Sequence, residues 1–558
     1  MSEKILVYTA WPYANGPLHL GHIAGCYLPA DIFARYHRQK GDQVLMLSGS
    51  DQHGTPITVK AEAEGVTPMD IAQRYHEDFL RSWDKFGISF SLFTRTTTEN
   101  HTKVVQEIFL DLLNKGFIYK NTMQSPYCGK CNKYLPDRYV EGTCPFCGNT
   151  GARGDQCDSC GKPLNPEDLK DAKCKHCGTK PEIKDTEHFF LKLSAFNEKL
   201  LEWIGTKEYF KTNVYHFTKQ YLTDGLKDRA ITRDILWGVP IPVECCEDKR
   251  IYVWFEAVIG YLSAAKEWSE KQGNPDLWKE YLQDENVKSY YFIGKDNIPF
   301  HTIIWPAILM GFGGINLPYD VPSNEFLTLE GRQLSTSRNW AVWLPDYLER
   351  YEPDPLRYLL SINMPESNDS DFSWNEFLRR NNNELVATYG NLVHRTLTFT
   401  CKHFEGKVPE PGELDEQDKQ ILELAGKTLQ DMDEALGKCK FKEAIRAAMS
   451  LAQEANKYID ATAPWKKIKE DRQRAGTSLW VVINLINALK TVLYPFLPFS
   501  SQKLHAMLGF EDEIEKHGWK IETVHNGQTL GKPEPLFKKF EEEIVEQEVQ
   551  RIKEQSGK

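Results

Sequence analysis

Residues 4 to 60 restrict what this chain folds into more than any other stretch does. Lys4 to Ala10 is a short apolar, β-branched run, the pattern of a buried strand. The turn-rich stretch Trp11 to Pro17 leads into Leu18-His19-Leu20-Gly21-His22, which opens a helical pattern running to about Lys40. Asp42 to Ser48 reads as a second strand, ending in Gly49-Ser50-Asp51-Gln52-His53-Gly54-Thr55-Pro56. Strand, crossover helix and strand predict a parallel sheet with polar residues gathered after the strand ends, where open parallel sheets hold ligands. A helix start carries free N–H groups and partial positive charge, so it attracts phosphate. His19 and His22 are three apart and share a face of the first turn, and Gly21 leaves the backbone open to a flat or bulky ligand. Bracketed by two strands and the His53-Gly54 turn, the pair predicts a triphosphate cradle rather than two capping histidines.

With 558 residues the chain is too long for one core and predicts three or four domains. Its 41% hydrophobic and 26% charged content is that of a soluble globular protein. The first residues, one lysine and an apolar run broken by prolines, do not read as a signal peptide. The longest apolar run, Leu479 to Leu489, holds two asparagines and is short for a bilayer. The expectation is a cytoplasmic protein without a membrane partner. A net charge of −11 confines any nucleic-acid contact to a local basic patch.

Eight of the 13 cysteines form four C-x-x-C pairs: Cys128/Cys131, Cys144/Cys147, Cys157/Cys160 and Cys174/Cys177. In a cytosolic chain such spacing means zinc, each pair giving two thiolates on a tight turn and two pairs completing a tetrahedral site. Two structural Zn2+ sites are expected. Sequential pairing and nested pairing (first with fourth, second with third) both close sensible loops. Cys26, Cys245, Cys246, Cys401 and Cys439 read as free structural thiols.

Ala61 to Phe90 and Thr97 to Gly116 read as helices. Ile251 to Ala257 reads as a strand leading into a helix with Tyr261, and Ser289 to Ile293 as a strand followed by the turn Gly294-Lys295-Asp296-Asn297. The next helix, Ile298 to Met310, carries His301 and Trp305 on one face. Trp11, Tyr13, Trp254, Tyr261, His301 and Trp305 thus fall at or just beyond strand ends, an aromatic slot suited to a soft unbranched side chain such as a thioether. Glu330 to Arg338 is a Gly-containing loop after strand-like Glu325 to Leu329. From about Asp371 the pattern is helical and predicts a bundle. Lys207 to Arg233 mixes basic and aromatic residues. Trp465 is followed by Lys466, Lys467, Lys469, Arg472 and Arg474, a basic strip suited to RNA.

The segment PLHLGH resembles the HIGH signature of class I aminoacyl-tRNA synthetases, and TAWPYANGPLHLGH and GSDQHGTP resemble more narrowly the methionyl-tRNA synthetases. The similarity runs over nearly the whole chain. It implies an α/β fold: a doubly wound parallel Rossmann-type sheet with a zinc-binding insertion and a C-terminal helical bundle. Residues 1–116 and 235–325 would be the two catalytic halves. Residues 117–234 would be the insertion, with zinc knuckles at 128–177; 326–374 the signature loop and connector; 375–558 the anticodon-binding domain and tail.

The partners implied are L-methionine, ATP with Mg2+, and tRNA(Met). The resemblance assigns His19, Gly21, His22, Gly294, Lys295 and Asp296 to ATP, and Trp11, Tyr13, Trp254, Val258, Tyr261, His301 and Trp305 to methionine. Asp51 matches the carboxylate that holds the substrate ammonium. Val258 stands where many relatives have proline, and Trp11 where some have leucine. The loop Arg332-Gln333-Leu334-Ser335-Thr336-Ser337-Arg338 matches the KMSKS signature, but Gln333 and Thr336 replace its lysines, so Arg332 and Arg338 become the candidate cations beside Ser335. The resemblance favours nested zinc pairing and matches Asn391, Arg395 and Trp465 to the readers of the CAU anticodon. The insertion lacks the large editing domain of synthetases for leucine, isoleucine and valine, as suits methionine. Some relatives add a C-terminal dimerising domain; none is visible, so a monomer is expected. Two rival readings are a small-molecule nucleotidyltransferase and a non-catalytic zinc-ribbon nucleic-acid-binding protein.

Overall fold

The computed structural model describes residues 2–557 apart from 158, 160–162, 165 and 337. Strands β1 (Lys4–Thr9), β2 (Gln43–Ser50), β3 (Leu92–Arg95), β4 (Lys288–Gly294) and β5 (Ser323–Asn324) form a sheet in the order β5-β4-β1-β2-β3. Every neighbouring pair is parallel. β1 is central and buried from Ile5 to Thr9, because helices cover both faces; hence its unbroken apolar run. The chain winds one way from β1 to β3 and returns on the other side through β4. The resulting crevice opens at the carboxyl ends of β1 and β4.

Around the sheet lie α1 (Leu28–Gln39), α2 (Pro68–Phe86), α3 (Glu99–Asn114), α4 (Val253–Lys271) and α5 (Trp305–Phe312). Two expectations are corrected. Ala61 to Phe90 is not one helix: Gly65, at φ 69°, ends Thr55–Glu64, and Thr67 starts α2 with a reciprocal cap to Asp70. Ile251 to Ala257 is mostly helical, with only Arg250–Ile251 in a strand. Its β-branched and aromatic residues face a buried layer on both sides, and a short apolar run does not distinguish strand from buried helix.

Two helices entering the crevice carry one wide π turn each, Ile23–Tyr27 before α1 and Phe300–Ile304 before α5. Such turns cluster at functional sites because they re-aim side chains.

After α3 the chain leaves through a long antiparallel hairpin, Ile118–Cys128 against Glu182–Leu191, with the cysteine-rich knob at its tip. The knob rests on Thr55–Glu64, where Tyr139 Oη donates to Thr58 Oγ1 (3.0 Å).

Beyond the sheet lie α6 (Pro353–Ile362), α7 (Asn391–His403), α8 (Glu416–Gly437), α9 (Phe441–Thr462), α10 (Arg472–Leu493), α11 (Pro498–Met507) and α12 (Glu543–Gln555). By length and composition α10 exceeds the short apolar run read from sequence and is capable of crossing a membrane, yet 94% of its apolar window is buried as the spine of the bundle. α12 folds back, and Glu548 takes both guanidinium nitrogens Nε and Nη2 of Arg350 at 2.9 Å.

Candidate functional site

The two histidines at the helix start form a locked pair that caps the helix reciprocally, which corrects the expectation that they are not capping residues: their Nδ1 atoms cap the backbone and leave only Nε2 for a ligand. The Gly21 N–H donates to His19 Nδ1 (3.1 Å), the His19 N–H donates to His22 Nδ1 (3.2 Å), and the rings stack at 3.7 Å. Both Nδ1 atoms are therefore acceptors, so each neutral ring carries its proton on Nε2. Burial holds His19 well below the usual imidazole range, helped by His22, and holds His22 at about 4. Neutral donors at a helix N-terminus suit phosphate. A Cβ on Gly21 would sit 2.8 Å from Leu334 Cδ1 and 3.0 Å from the His19 ring. The glycine thus lets the signature loop close on the histidine pair.

Asp51 follows β2 and is almost completely buried, with His53 N–H donating to its Oδ1 (3.3 Å). No lysine or arginine among the described residues pairs with it. Burial first, and the Glu256 charge second, push its carboxyl well above the usual range.

Beneath it lies a network that sequence reading missed. Fully buried Glu256 meets His53 Nδ1 at 2.9 Å and His101 Nε2 at 3.5 Å, and His101 Nδ1 meets Ser263 Oγ at 2.9 Å. His53 comes from the loop after β2, His101 from α3 and Glu256 from α4. Only the helical setting of Val253 onward turns Glu256 inward.

The structure brings Trp11, Tyr261, His301 and Trp305 into one aromatic cluster, with Tyr261 ring centroids 6.5, 5.5 and 6.1 Å from the other three. The Trp11 indole is clamped by two glycines, since a Cβ would lie 2.6 Å from it at Gly49 and 2.8 Å at Gly260. Its Nε1 is buried and has no hydrogen-bond partner among the described residues. His301 Nδ1–H donates to Asn297 O (2.9 Å), so Nε2 accepts from Tyr261 Oη (2.6 Å). Burial holds His301 at about 4. Val258 is buried alongside. Tyr13 and Trp254 meet edge to face at 5.8 Å, and Trp254 stacks on Phe300 at 4.1 Å.

The signature loop begins as a tight hairpin, Leu327–Leu329 against Arg332–Gln333, so the strand is shorter than the Glu325 to Leu329 expected. Its turn residues Glu330 and Gly331 lie at φ 50° and 72°. Asp371 Oδ1 accepts from Gly331 N–H and Glu330 Oε1 from Trp374 N–H, both at 2.9 Å, which anchors the turn. Beyond it Ser335 and Trp340 exchange backbone hydrogen bonds (3.0 and 2.9 Å). Gln333, Thr336 and Arg338 are exposed; Arg332 is also exposed, with its guanidinium 5.0 Å from the Trp340 ring. Among the described residues neither arginine makes an ion pair. Lys295, by contrast, holds Glu325 and Asp369, each at 2.8 Å. Asp296 Oδ1 lies where a Cβ on Gly294 would meet it at 2.9 Å. Ser337 lies outside the described residues.

The family described as "tRNA synthetases class I (M)" matches residues 5–397, and "Anticodon binding domain of methionyl tRNA ligase" matches 408–556. The chain belongs to the methionyl-tRNA synthetase family. A methionine–tRNA ligase from Dehalococcoides mccartyi is 60% identical over 552 residues, covering 99% of this chain and 100% of that one. One from Thermomicrobium roseum is 51% identical over 583 residues, covering all of both. Among solved structures, Mycobacterium tuberculosis methionyl-tRNA synthetase bound by methionyl-adenylate is similar with a TM-score of 0.80 at 26% identity, over 96% of this chain and 100% of that chain.

In this methionyl-tRNA synthetase family member the cysteines group as nested pairs. Cys128, Cys131, Cys174 and Cys177 place their sulfurs within 4.8 Å of one another, with Cys128–Cys177 at 3.4 Å and Cys131–Cys174 at 3.9 Å. Cys144, Cys147 and Cys157 form the second cluster; Cys160 lies outside the described residues. Sulfurs about 2.3 Å from one tetrahedral zinc stand roughly 3.8 Å apart, so the four-cysteine group fits the ion, and the spacing is far too long for disulfides. Gly148 and Gly178 turn their knuckles at φ 75° and 69°, and Asn132 takes that role after Cys131 at φ 52°.

Arg395 lies over Trp465 at 5.3 Å and is steadied by Asp460 (2.9 Å) and Asn456 (3.1 Å). Asn391 is exposed one turn before it on α7. Ala463, at φ 40°, breaks the helix and swings Trp465 outward, where it is 38% exposed. The expected basic strip is corrected at Arg474, which turns inward to Asp418 (2.8 Å) and Asp415 (3.0 Å); Arg472 stays exposed and donates to His403 O (2.6 Å). A buried Asp418 attracts the nearest guanidinium more strongly than water does.

Proposed function

We propose that this chain activates L-methionine with ATP and transfers it to the 3′ end of tRNA(Met). The observation that carries the reading is Asp51, a buried carboxyl with no cationic partner among the described residues, whose backbone pairs with the segment that carries Trp11 and Tyr13. A substrate ammonium supplies the missing charge, and the ring edges of Trp11, Tyr261, His301 and Trp305 take a thioether. The methionine carboxylate then attacks the α-phosphate of Mg2+-bound ATP, breaking the bond to pyrophosphate. A hydroxyl of the terminal tRNA adenosine attacks the adenylate carbonyl and releases AMP. No side chain acts as nucleophile; positioning and charge stabilisation supply the rate. The Nε2–H groups of His19 and His22 donate to phosphate oxygens, and Arg332 and Arg338 stand in for the signature lysines. Gly21, Gly294, Asp296, Gln333, Ser335 and Thr336 line the nucleotide, and Lys295 acts nearby through its two carboxylates.

Zinc would be held by the Cys128/Cys131/Cys174/Cys177 group and by the Cys144/Cys147/Cys157 group, stiffening the knob on Thr55–Glu64. Asn391, Arg395 and Trp465 would contact the anticodon, Trp465 by stacking on an unpaired base. The protein would act in the cytoplasm as a monomer, a state read by light scattering.

Methionine-dependent ATP–pyrophosphate exchange tests the reading. Exchange with methionine and not with other amino acids is expected. Exchange without any amino acid would favour a small-molecule nucleotidyltransferase, and no exchange at all a non-catalytic nucleic-acid-binding protein.

A further inference from the structure

Away from the cleft and the cysteine knob, three metal-ligating side chains converge where the bundle meets the sheet domain. His505 is buried on α11, Asp512 lies in the following segment, and His517 closes the short turn Ile514–His517. His505 Nε2 and His517 Nε2 lie 3.2 and 2.8 Å from the same atom, Asp512 Oδ1. All three ligand atoms are within 4.8 Å of one another. Donors bonded to one divalent ion at about 2.0–2.1 Å stand roughly 3 Å apart, the spacing of both nitrogens from the shared oxygen.

The surroundings are those of a ligand set. His517 Nδ1 is 2.6 Å from Glu522 Oε2, the carboxylate–histidine contact that orients the opposite ring nitrogen toward a metal. His517 thus stands between two carboxylates. A neutral ring has one proton to donate, so both carboxylates are satisfied either by a protonated ring or by a cation held at Nε2. His505 is fixed by Lys490 Nζ at 3.0 Å from its Nδ1 and by stacking on Phe510 at 4.6 Å. A metal on His505 Nε2 needs the ring proton on Nδ1, so Lys490 passes a proton to Nδ1 as the Nε2 proton leaves, and one proton is released in all. Asp512 and His517 reach solvent, so the outer side of the group is open to water.

We propose that His505, Asp512 and His517 bind a divalent ion of the zinc class, for which two imidazoles and one carboxylate are suitable donors. The ion staples segment 512–522 to α11. That segment abuts the end of α1: Gly518 O accepts from Gln39 Nε2 (3.4 Å), and Trp519 packs edge-on against Tyr36 at 5.1 Å. The staple therefore stiffens the joint between the bundle and the crossover helix.

The test titrates the metal-depleted full chain with Zn2+ alone, counting thiolate-held metal separately by mercurial displacement. One equivalent beyond the thiolate-held metal is expected, with a rise in Tm as it binds. His517→Ala and Asp512→Asn should lose that equivalent and keep the thiolate-held metal. Glu522→Gln, which leaves the three ligands in place, should weaken it about 10–100-fold and so remains informative if another variant misfolds. A wild-type chain with no metal beyond the thiolate-held fraction overturns the proposal, as does an extra equivalent that persists in His517→Ala.

Discussion

Arg357 Nη2 lies 2.7 Å from Asp31 Oδ2, joining two fully buried side chains 326 residues apart in the chain. Arg357 also donates to Phe496 O (2.8 Å) and Pro495 O (3.0 Å), while Asp31 takes Arg35 Nε (2.9 Å) and Ser89 N–H (2.8 Å). This cluster ties α1 of the sheet domain to the turn between α10 and α11. Removing one member leaves a buried charge, which costs roughly 3–5 kcal/mol. Arg357→Leu should lower the unfolding free energy from urea titration by about 3–5 kcal/mol, and Asp31→Leu/Arg357→Leu should recover part of it.

The same pair sets an acid limit. Arg35 and then Arg357, overcoming burial, hold Asp31 at about 2, below its unfolded value. Its contribution is present above the ordinary carboxyl range and is lost as pH falls from about 4 toward 2. Urea midpoints of wild type and Asp31→Asn should converge across that window.

Asp51 has the opposite sign. Its folded carboxyl is raised by burial and by the Glu256 charge, so stability falls as pH rises from the ordinary carboxyl range through the raised value. Methionine favours the ionised form, so the Tm gain on adding methionine should grow with pH over that range. Asp51→Asn should abolish the gain at every pH while remaining folded.

Arg332→Ala and Arg338→Ala should each lower ATP–pyrophosphate exchange about 100-fold or more, with methionine binding by thermal shift unchanged. Wild-type exchange in both would show that other groups replace the signature lysines.

Trp465→Ala should leave exchange within about twofold and reduce aminoacylation of tRNA(Met) about 10-fold or more, the loss of a base stack worth roughly 1–3 kcal/mol.

Replacing Cys174 with serine should release one zinc equivalent and open residues 128–177 to proteolysis, with global Tm little changed. The knob has its own small core and meets the sheet domain mainly through Tyr139 and Thr55–Glu64.

Features that depend on neighbours in sequence were legible from the chain alone. The strand–helix–strand order of residues 4 to 60, the stacked His19/His22 pair and the C-x-x-C knuckles are local, because one helix turn or one tight turn brings their atoms together. The nested cysteine grouping followed from resemblance, since four similar pairs close a tetrahedron in more than one way. The Glu256 bridge between His53 and His101, the glycine clamp on Trp11, the Arg357–Asp31 tie and the inward turn of Arg474 were not legible. Each joins elements far apart in the chain. A side chain's burial, and with it the strength of its charge and the partner it takes, depends on which surfaces meet when the sheet, knob and bundle pack together.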